Sequence, residues 1–103
     1  MSYEKLEKHT LLIGLNDKDT KKQIIKTSRA KSLIAQVCGD CTMIDCTGVY
    51  THNNGVQVKE KSVKVEMLFK NDNDVNEYAK ALKKILNQAE IYIVKDYIMS
   101  AAI

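Results

Sequence analysis

Residues 41–69, CTMIDCTGVYTHNNGVQVKEKSVKVEMLF, decide the fold of this chain. Two strand-like runs, about 41–51 and 56–69, meet at Asn54-Gly55. Asn-Gly is the dipeptide preferred in two-residue hairpin turns, because both residues tolerate the positive φ angles that such turns require. The sequence therefore predicts a β-hairpin in the middle of the chain.

A helix-period segment lies on each side of this hairpin. Asp19 or Thr20 can cap the first helix, which Gly39 ends, and Asn71 or Asp72 can cap the second. The first apolar stripe consists of Ile24, Ile25, Ala30, Leu33, Ile34 and Val37, and the second of Val75, Tyr78, Ala79, Leu82, Ile85 and Leu86. Beyond the helices, the apolar runs 9–16 and 91–99 predict one further strand at each end.

The resulting order is β-α-β-β-α-β, which predicts an α+β ferredoxin-like sandwich. Right-handed crossovers place both helices on one face of a four-stranded antiparallel sheet with the strand order 4-1-3-2. At 103 residues, the chain is the size of one domain, and we assign residues 1–103 to it.

The second face of this sheet has no predicted cover. Its expected residues are apolar, and they include Leu12, Val56, Val58, Tyr92 and Val94. Exposed apolar patches mark interfaces, so we predict a homodimer formed through the open sheet face. In the second strand of the hairpin, the apolar positions are even-numbered up to Val58 but odd-numbered from Val63 onward. This change predicts a bulge between Lys59 and Ser62, with the hairpin tip projecting beyond the sheet. Gly48 is a second candidate bulge site.

Composition argues against a nucleic-acid-binding, membrane-spanning or secreted protein. A net charge of +3 is too small to indicate a nucleic-acid partner, and only one cation, Arg29, is an arginine. Leu11–Asn16 resembles the first conserved segment of an RNA-recognition motif, but Leu12 stands where a base-stacking ring is needed. We therefore expect no nucleic acid. No apolar run spans a membrane, and Met1–Lys8 lacks a signal-peptide core, so we expect a cytoplasmic protein.

Three cysteines, Cys38, Cys41 and Cys46, have C-x2-C-x4-C spacing. Thiolates at this spacing could hold zinc or an iron-sulfur cluster, or form a redox pair, with His52 or His9 as a further ligand. However, Cys38 falls at a helix C-terminus, where the helix dipole disfavours a thiolate. We therefore interpret the cysteines as buried apolar residues and expect neither metal nor cofactor.

Two groups of polar residues are candidate binding surfaces. The basic residues Lys18, Lys22, Lys26 and Arg29 would form a ridge on the first helix, which could face an acidic partner or remain solvated. The hairpin tip groups Tyr50, His52, Asn53 and Asn54, which could contact a ligand or partner. Glu60, near the expected bulge, is the best candidate for a functional carboxylate, although a strand residue paired with a lysine is the simpler interpretation.

The pattern from Gly48 onward resembles a family of small uncharacterised bacterial proteins with a ferredoxin-like fold. The positions that carry the resemblance are Gly48, Tyr50, Gly55, Lys59, Glu60 and Gln88. The resemblance covers about half of the chain. It implies the fold and adds Gln88 to the candidate binding residues, but it implies no activity.

No catalytic constellation is recognisable in the sequence, so we expect a non-enzymatic homodimeric module that binds a protein partner or small ligand. The first alternative is a phage or mobile-element inhibitor of a host factor, such as a defence nuclease. We rank a ferredoxin-like dimeric enzyme third, with Tyr50, His52 and Glu60 as its candidate residues, because the sequence shows no convergence of polar groups on a pocket.

Overall fold

The computed structural model describes all 103 residues. The elements are β1 (Glu4–Gly14), α1 (Thr27–Cys38), β2 (Thr42–Thr51), β3 (Gln57–Leu68), α2 (Asp72–Ile85) and β4 (Tyr92–Ser100). The strands form one antiparallel sheet in the order β2-β3-β1-β4. The structure therefore confirms the predicted ferredoxin-like fold, with both helices on one face.

Alternate residues of the two central strands build the core. Leu11 and Ile13 of β1 and Val63, Val65 and Met67 of β3 are all buried under the helices. The helices contribute the buried residues Ala30, Ile34, Cys38, Val75, Ala79 and Leu82. Burial of each large aliphatic side chain stabilises the fold by about 1.5–3 kcal/mol relative to exposure, so this single layer supplies most of the favourable free energy.

The opposite face of the sheet is open, as the alternation predicts. Leu12 lies directly opposite Tyr92, and Val94 lies opposite Thr10 on the same face. Leu12, Tyr92 and Val94 are all exposed. Charged side chains also lie on this face, where Lys8 forms an ion pair with Glu66.

The second helix follows the sequence prediction closely. The side chain of Asn71 accepts a hydrogen bond of 2.8 Å from the backbone N–H of Asp74, so Asn71 is the N-cap. Gly39, with a φ of 69°, ends α1 as expected. Neither helix combines the length and the apolar character that crossing a bilayer requires.

The first helix begins later than predicted. Neither Asp19 nor Thr20 caps it, because both lie in a separate preceding turn, in which the Asp17 carboxylate accepts hydrogen bonds from their backbone N–H groups. The helix begins after Lys26, whose side chain makes no cap hydrogen bond. The predicted basic ridge is therefore wrong: Lys18, Lys22 and Lys26 precede the helix, and only Arg29 lies on it.

The central hairpin exists, but its turn differs from the prediction. Gly55 has a positive φ of 82°, whereas Asn54 does not, so the loop is not a two-residue type I′ turn. Instead, the N–H of Gly55 bonds to the carbonyl of His52, and the N–H of His52 bonds to the carbonyl of Val56. This is a three-residue loop with glycine in its left-handed position.

No bulge interrupts β2 and β3. Their register runs without a break from Thr42 opposite Glu66 to Thr51 opposite Gln57, so the predicted bulges at Gly48 and between Lys59 and Ser62 are both wrong. The inward face of β3 does not swap. The part of β3 before Ser62 pairs with β2 but not with β1, and in this part Val58 lies on the open face, opposite Tyr50. The hairpin tip projects beyond β1, as expected.

Candidate functional site

A cavity of about 420 Å³ opens at the end of the sheet where β1 ends and β4 begins. Five segments of the chain meet there: the loop after β1, the end of the β2–β3 hairpin, the outer part of β3, the segment after α2 and the start of β4. Its lining consists of Asn16, Asp17, Lys18, Lys21, Tyr50, His52, Glu60, Gln88, Ala89, Glu90 and Tyr92. We refer to it as the Glu60 cavity.

The carboxylate of Glu60 is fixed by the strand beside it. Glu60 Oε2 accepts a hydrogen bond of 3.0 Å from the backbone N–H of Asn16. The same carboxylate lies over Gly14, where an added Cβ would collide with Glu60 Oε1. On the other flank is Gly48, which is paired with Glu60 across the strands. The absence of a side chain at Gly14 thus leaves room for the carboxylate, whereas Gly48 lies against the Cγ of Glu60.

The peptide groups of Asn16 connect Glu60 to Gln88. The side-chain amide of Gln88 donates to the carbonyl of Asn16 at 2.9 Å and to the carbonyl of Leu86 at 3.2 Å. Gln88 is buried, so these bonds satisfy an amide that would otherwise be costly to desolvate. Gln88 therefore positions the floor of the cavity by fixing Asn16.

Aromatic side chains form the opposite wall. The rings of Tyr50 and His52 meet edge to face, with centroids 5.3 Å apart. Across the cavity, the hydroxyl of Tyr92 donates to Glu90 Oε2, and this hydrogen bond raises the pKa of the Tyr92 phenol above its usual value. The cavity therefore combines carboxylates with ring faces, an arrangement suited to a cationic or aromatic ligand.

The loop between β1 and α1 is held by a dense set of hydrogen bonds. Asp17 Oδ1 accepts from the backbone N–H groups of Asp19 and Thr20, each at 2.9 Å, and the side chain of Asn87 donates to Asp17 Oδ2 at 2.8 Å. These bonds, with that from Asn87 the largest influence, lower the pKa of Asp17 from 3.8 to about 2. The loop is thereby tied to the end of α2.

Four residues named from the sequence for separate reasons converge on this cavity: Tyr50, His52, Glu60 and Gln88. Asn53 and Asn54 lie at the exposed hairpin tip and outside the lining. Of the predicted basic ridge, only Lys18 lines the cavity. Sequence reasoning missed Asn16, Asp17, Lys21, Ala89 and Glu90, and it assigned Tyr92 only to the open face.

The three cysteines do not come together as a ligand group, since the one cluster of three potential metal-binding side chains is Glu7, His9 and Asp72. In that cluster the Lys95 ammonium already lies 3.1 Å from Asp72 Oδ2 and 3.3 Å from Glu7 Oε1, in the place a cation would take.

Burial dominates the chemistry of the cysteines. It raises the pKa of the Cys38 thiol to about 11 and also raises that of Cys41, whereas Cys46 is exposed on β2. Cys38 is therefore protonated at neutral pH, which agrees with the prediction of a buried apolar residue at this position, whereas for the exposed Cys46 that prediction is wrong.

Comparison with known proteins gives a match in structure only. No family model matches the chain, and no curated protein matches it. A solved phage SAM lyase in complex with S-methyl-5'-thioadenosine superposes with a TM-score of 0.64 at 21% identity, covering 94% of this chain and 90% of that one. A phage SAM lyase in its apo state gives a TM-score of 0.58 at 20% identity, covering 93% and 89%. At this identity, the likeness establishes a shared fold.

These neighbours overturn the functional prediction made from the sequence. The sequence predicts a non-enzymatic module that binds a partner or ligand, with a phage or mobile-element inhibitor of a host factor as the first alternative and a ferredoxin-like enzyme ranked third, yet the solved proteins that share the fold along nearly their whole length are enzymes. The prediction is wrong because the sequence does not show which residues share the cavity. Residues that are dispersed in sequence, such as Tyr50, Glu60 and Gln88, converge in space.

The contact between Gly14 and Glu60 gives a testable expectation. In Gly14→Ala, the new Cβ would lie within 2.8 Å of both carboxylate oxygens, so the flexible Glu60 side chain must move away. We expect the bond to the Asn16 N–H to be lost and the free energy of unfolding to fall by about 1 kcal/mol, the usual worth of one hydrogen bond. Urea unfolding and the Asn16 amide resonance measure the two effects.

Gly48→Ala is the matched control, because its Cβ would meet the Ser62 hydroxyl at 3.1 Å and Glu60 Cγ only at 3.6 Å. It should leave the Asn16 resonance in place. In a Glu60→Ala background, Gly14→Ala should no longer perturb Asn16. An equal perturbation with and without the Glu60 carboxylate would contradict the assigned contact.

Asp17 gives a second expectation, for stability against pH. Because its folded pKa of about 2 lies below 3.8, the unfolded chain takes up a proton first as the pH falls. The contribution of Asp17 is therefore complete above pH 3.8 and is lost as the pH falls toward about 2. The stability difference between the wild type and Asp17→Asn in urea unfolding should be largest near neutral pH and shrink across this range. A constant difference would show that the charge of Asp17 does not stabilise the loop.

Proposed function

We propose that this chain is a phage enzyme that cleaves S-adenosylmethionine (SAM) and releases S-methyl-5'-thioadenosine. The observation that carries the proposal is the carboxylate of Glu60, which is held over Gly14 and lines a cavity that it shares with Tyr50 and Tyr92. The likeness to two phage SAM lyase structures over 94% and 93% of this chain supports it.

The cavity matches the chemistry of this substrate. SAM carries two cations, an ammonium and a sulfonium, together with an aromatic adenine. Glu60 and Glu90 supply negative charge, and the rings of Tyr50, His52 and Tyr92 supply faces on which a cation or an adenine can rest. A volume of about 420 Å³ falls within the range of small-molecule sites.

A lyase reaction on SAM breaks the bond between the sulfonium sulfur and the γ-carbon of the amino-acid moiety. Both electrons of this bond go to sulfur, which becomes the neutral thioether of S-methyl-5'-thioadenosine. The γ-carbon is satisfied within its own fragment, either by a new bond to the fragment's carboxylate oxygen or by a double bond as the adjacent carbon loses a proton, which Glu60 accepts. Neither route consumes water.

The change of charge during this reaction determines which part of SAM the Glu60 carboxylate can usefully contact. The sulfonium loses its charge as the bond breaks, so a carboxylate against sulfur would stabilise the ground state more than the transition state. The ammonium keeps its charge throughout the reaction. We therefore place the ammonium against Glu60, and the sulfonium and adenine against the rings of Tyr50 and Tyr92, so that the chain mainly orients the substrate.

The test uses the purified chain with SAM and follows S-methyl-5'-thioadenosine by chromatography. Glu60→Gln keeps an oxygen that can accept from the Asn16 N–H but removes the charge. We expect kcat/KM to fall about tenfold, as loss of a hydrogen bond to a charged group predicts.

Glu66→Gln is the matched control, because Glu66 lies on the same strand and the same face but pairs with Lys8 outside the cavity. It should retain wild-type activity. A wild type that forms no S-methyl-5'-thioadenosine, or a Glu60→Gln variant as active as the wild type, would reject the proposal.

We also propose that two copies of the chain associate through the open sheet face outside the Glu60 cavity, where Leu12 and Val94 are exposed. Introducing a charge there should weaken association, because a lysine would be desolvated in the interface. Sedimentation velocity should give a dimer for the wild type and a monomer for Val94→Lys. Val49→Lys, on the other face of the sheet and exposed as well, should remain dimeric. A monomeric wild type at high micromolar concentration would exclude this assembly.

A further inference from the structure

The Glu60 cavity has a positive pole as well as a negative one. Lys18 and Lys21 line it together with Glu60 and Glu90. Neither lysine takes part in an ion pair with a carboxylate of the protein. A cavity lined by two lysines without ion pairs and by two glutamates suits a ligand with charges of both signs.

The backbone holds Lys21 in an unusual conformation. Its φ of 63° lies in the left-handed region, which glycine or asparagine adopts more readily than lysine. The N–H of Lys21 bonds to the carbonyl of Asp17 at 2.8 Å, and the N–H of Asp17 bonds to the carbonyl of Lys22 at 2.8 Å. Conformations of this kind persist where the surroundings enforce them, and they concentrate at functional sites.

The rest of the loop fixes the position of these lysines. The N–H of Lys18 donates to the carbonyl of Asn87 at 3.0 Å, and the side chain of Asn87 bonds to both Asp17 and Asp19. The loop is therefore anchored to the segment after α2, which contributes Gln88 and Glu90 to the same cavity. An anchored backbone lowers the entropy lost when its side chains bind a ligand.

We infer that the loop from Asp17 to Lys21 is the subsite for the substrate's α-carboxylate, with Lys21 and Lys18 as its cationic groups. This inference rests on the proposed function and adds to it the residues that orient the amino-acid moiety. The product S-methyl-5'-thioadenosine has no carboxylate, so it makes no contact of this kind. The lysines therefore favour binding of the substrate over retention of the product.

The experiment compares Lys21→Gln, Lys18→Gln and the double variant with Lys22→Gln. Glutamine keeps the length of the side chain and removes only the charge. Lys22 lies on the same loop outside the cavity lining and is the matched control. The probes are SAM, decarboxylated SAM and S-methyl-5'-thioadenosine, bound in calorimetric titrations, with KM and kcat measured for SAM.

We expect Lys21→Gln to raise the Kd and KM for SAM about tenfold, as loss of one hydrogen bond to a charged group predicts. The Kd values for decarboxylated SAM and for S-methyl-5'-thioadenosine, which lack the carboxylate, should stay unchanged. Lys21→Arg should restore SAM binding, and Lys22→Gln should behave as the wild type.

Each other outcome overturns the inference in a distinct way. If the wild type cleaves SAM and the double variant binds it equally well, this subsite is wrong and the proposed function stands. If the variants weaken the binding of S-methyl-5'-thioadenosine as much as that of SAM, the lysines maintain the structure of the cavity and do not bind the substrate's carboxylate. If the wild type neither binds nor cleaves SAM, both proposals fail together.

Discussion

The unbroken strand register of β3 determines which side chains face the helices and which face the Glu60 cavity. Successive side chains of a strand point to opposite faces, so the burial of Val63, Val65 and Met67 beneath the helices sends Glu60 and Ser62 to the other face. A bulge in this strand would have rotated Glu60 away from Gly14. The core and the candidate site are therefore two consequences of one alternation, since the residues that stabilise the fold also fix the direction of the carboxylate.

Element order was predictable from the sequence because it depends on local periodicity. The features that were predicted wrongly depend on the local turns that the chain forms between these elements. Asp19 and Thr20 are residue types that often cap helices, but both lie in a separate turn closed by the Asp17 carboxylate, and α1 begins only after Lys26. Asn54-Gly55 similarly marks the turn correctly, yet the strand ends select a three-residue loop in which only Gly55 needs a positive φ.

Several residues of the site could be predicted from the sequence, but their convergence at one position in the fold could not. Tyr50, His52, Glu60 and Gln88 were recognised from hairpin chemistry and a family resemblance, while their convergence depends on how the hairpin and the segment after α2 pack at one end of β1. One local signal was available. Gly14 interrupts an otherwise apolar strand, and an isolated glycine in a strand often marks a close approach by another group, here the carboxylate of Glu60.

Separation of charge within the cavity connects the fold to the proposed chemistry. Glu60 reaches the cavity from the sheet, whereas Lys18 and Lys21 reach it from the anchored loop. A zwitterionic amino-acid moiety placed between these two supports has its ammonium and carboxylate fixed at separate points, so the adjoining sulfonium can be directed toward the tyrosine rings. Orientation of this kind suits a reaction whose leaving group departs as a neutral thioether, because the barrier that remains is largely one of geometry.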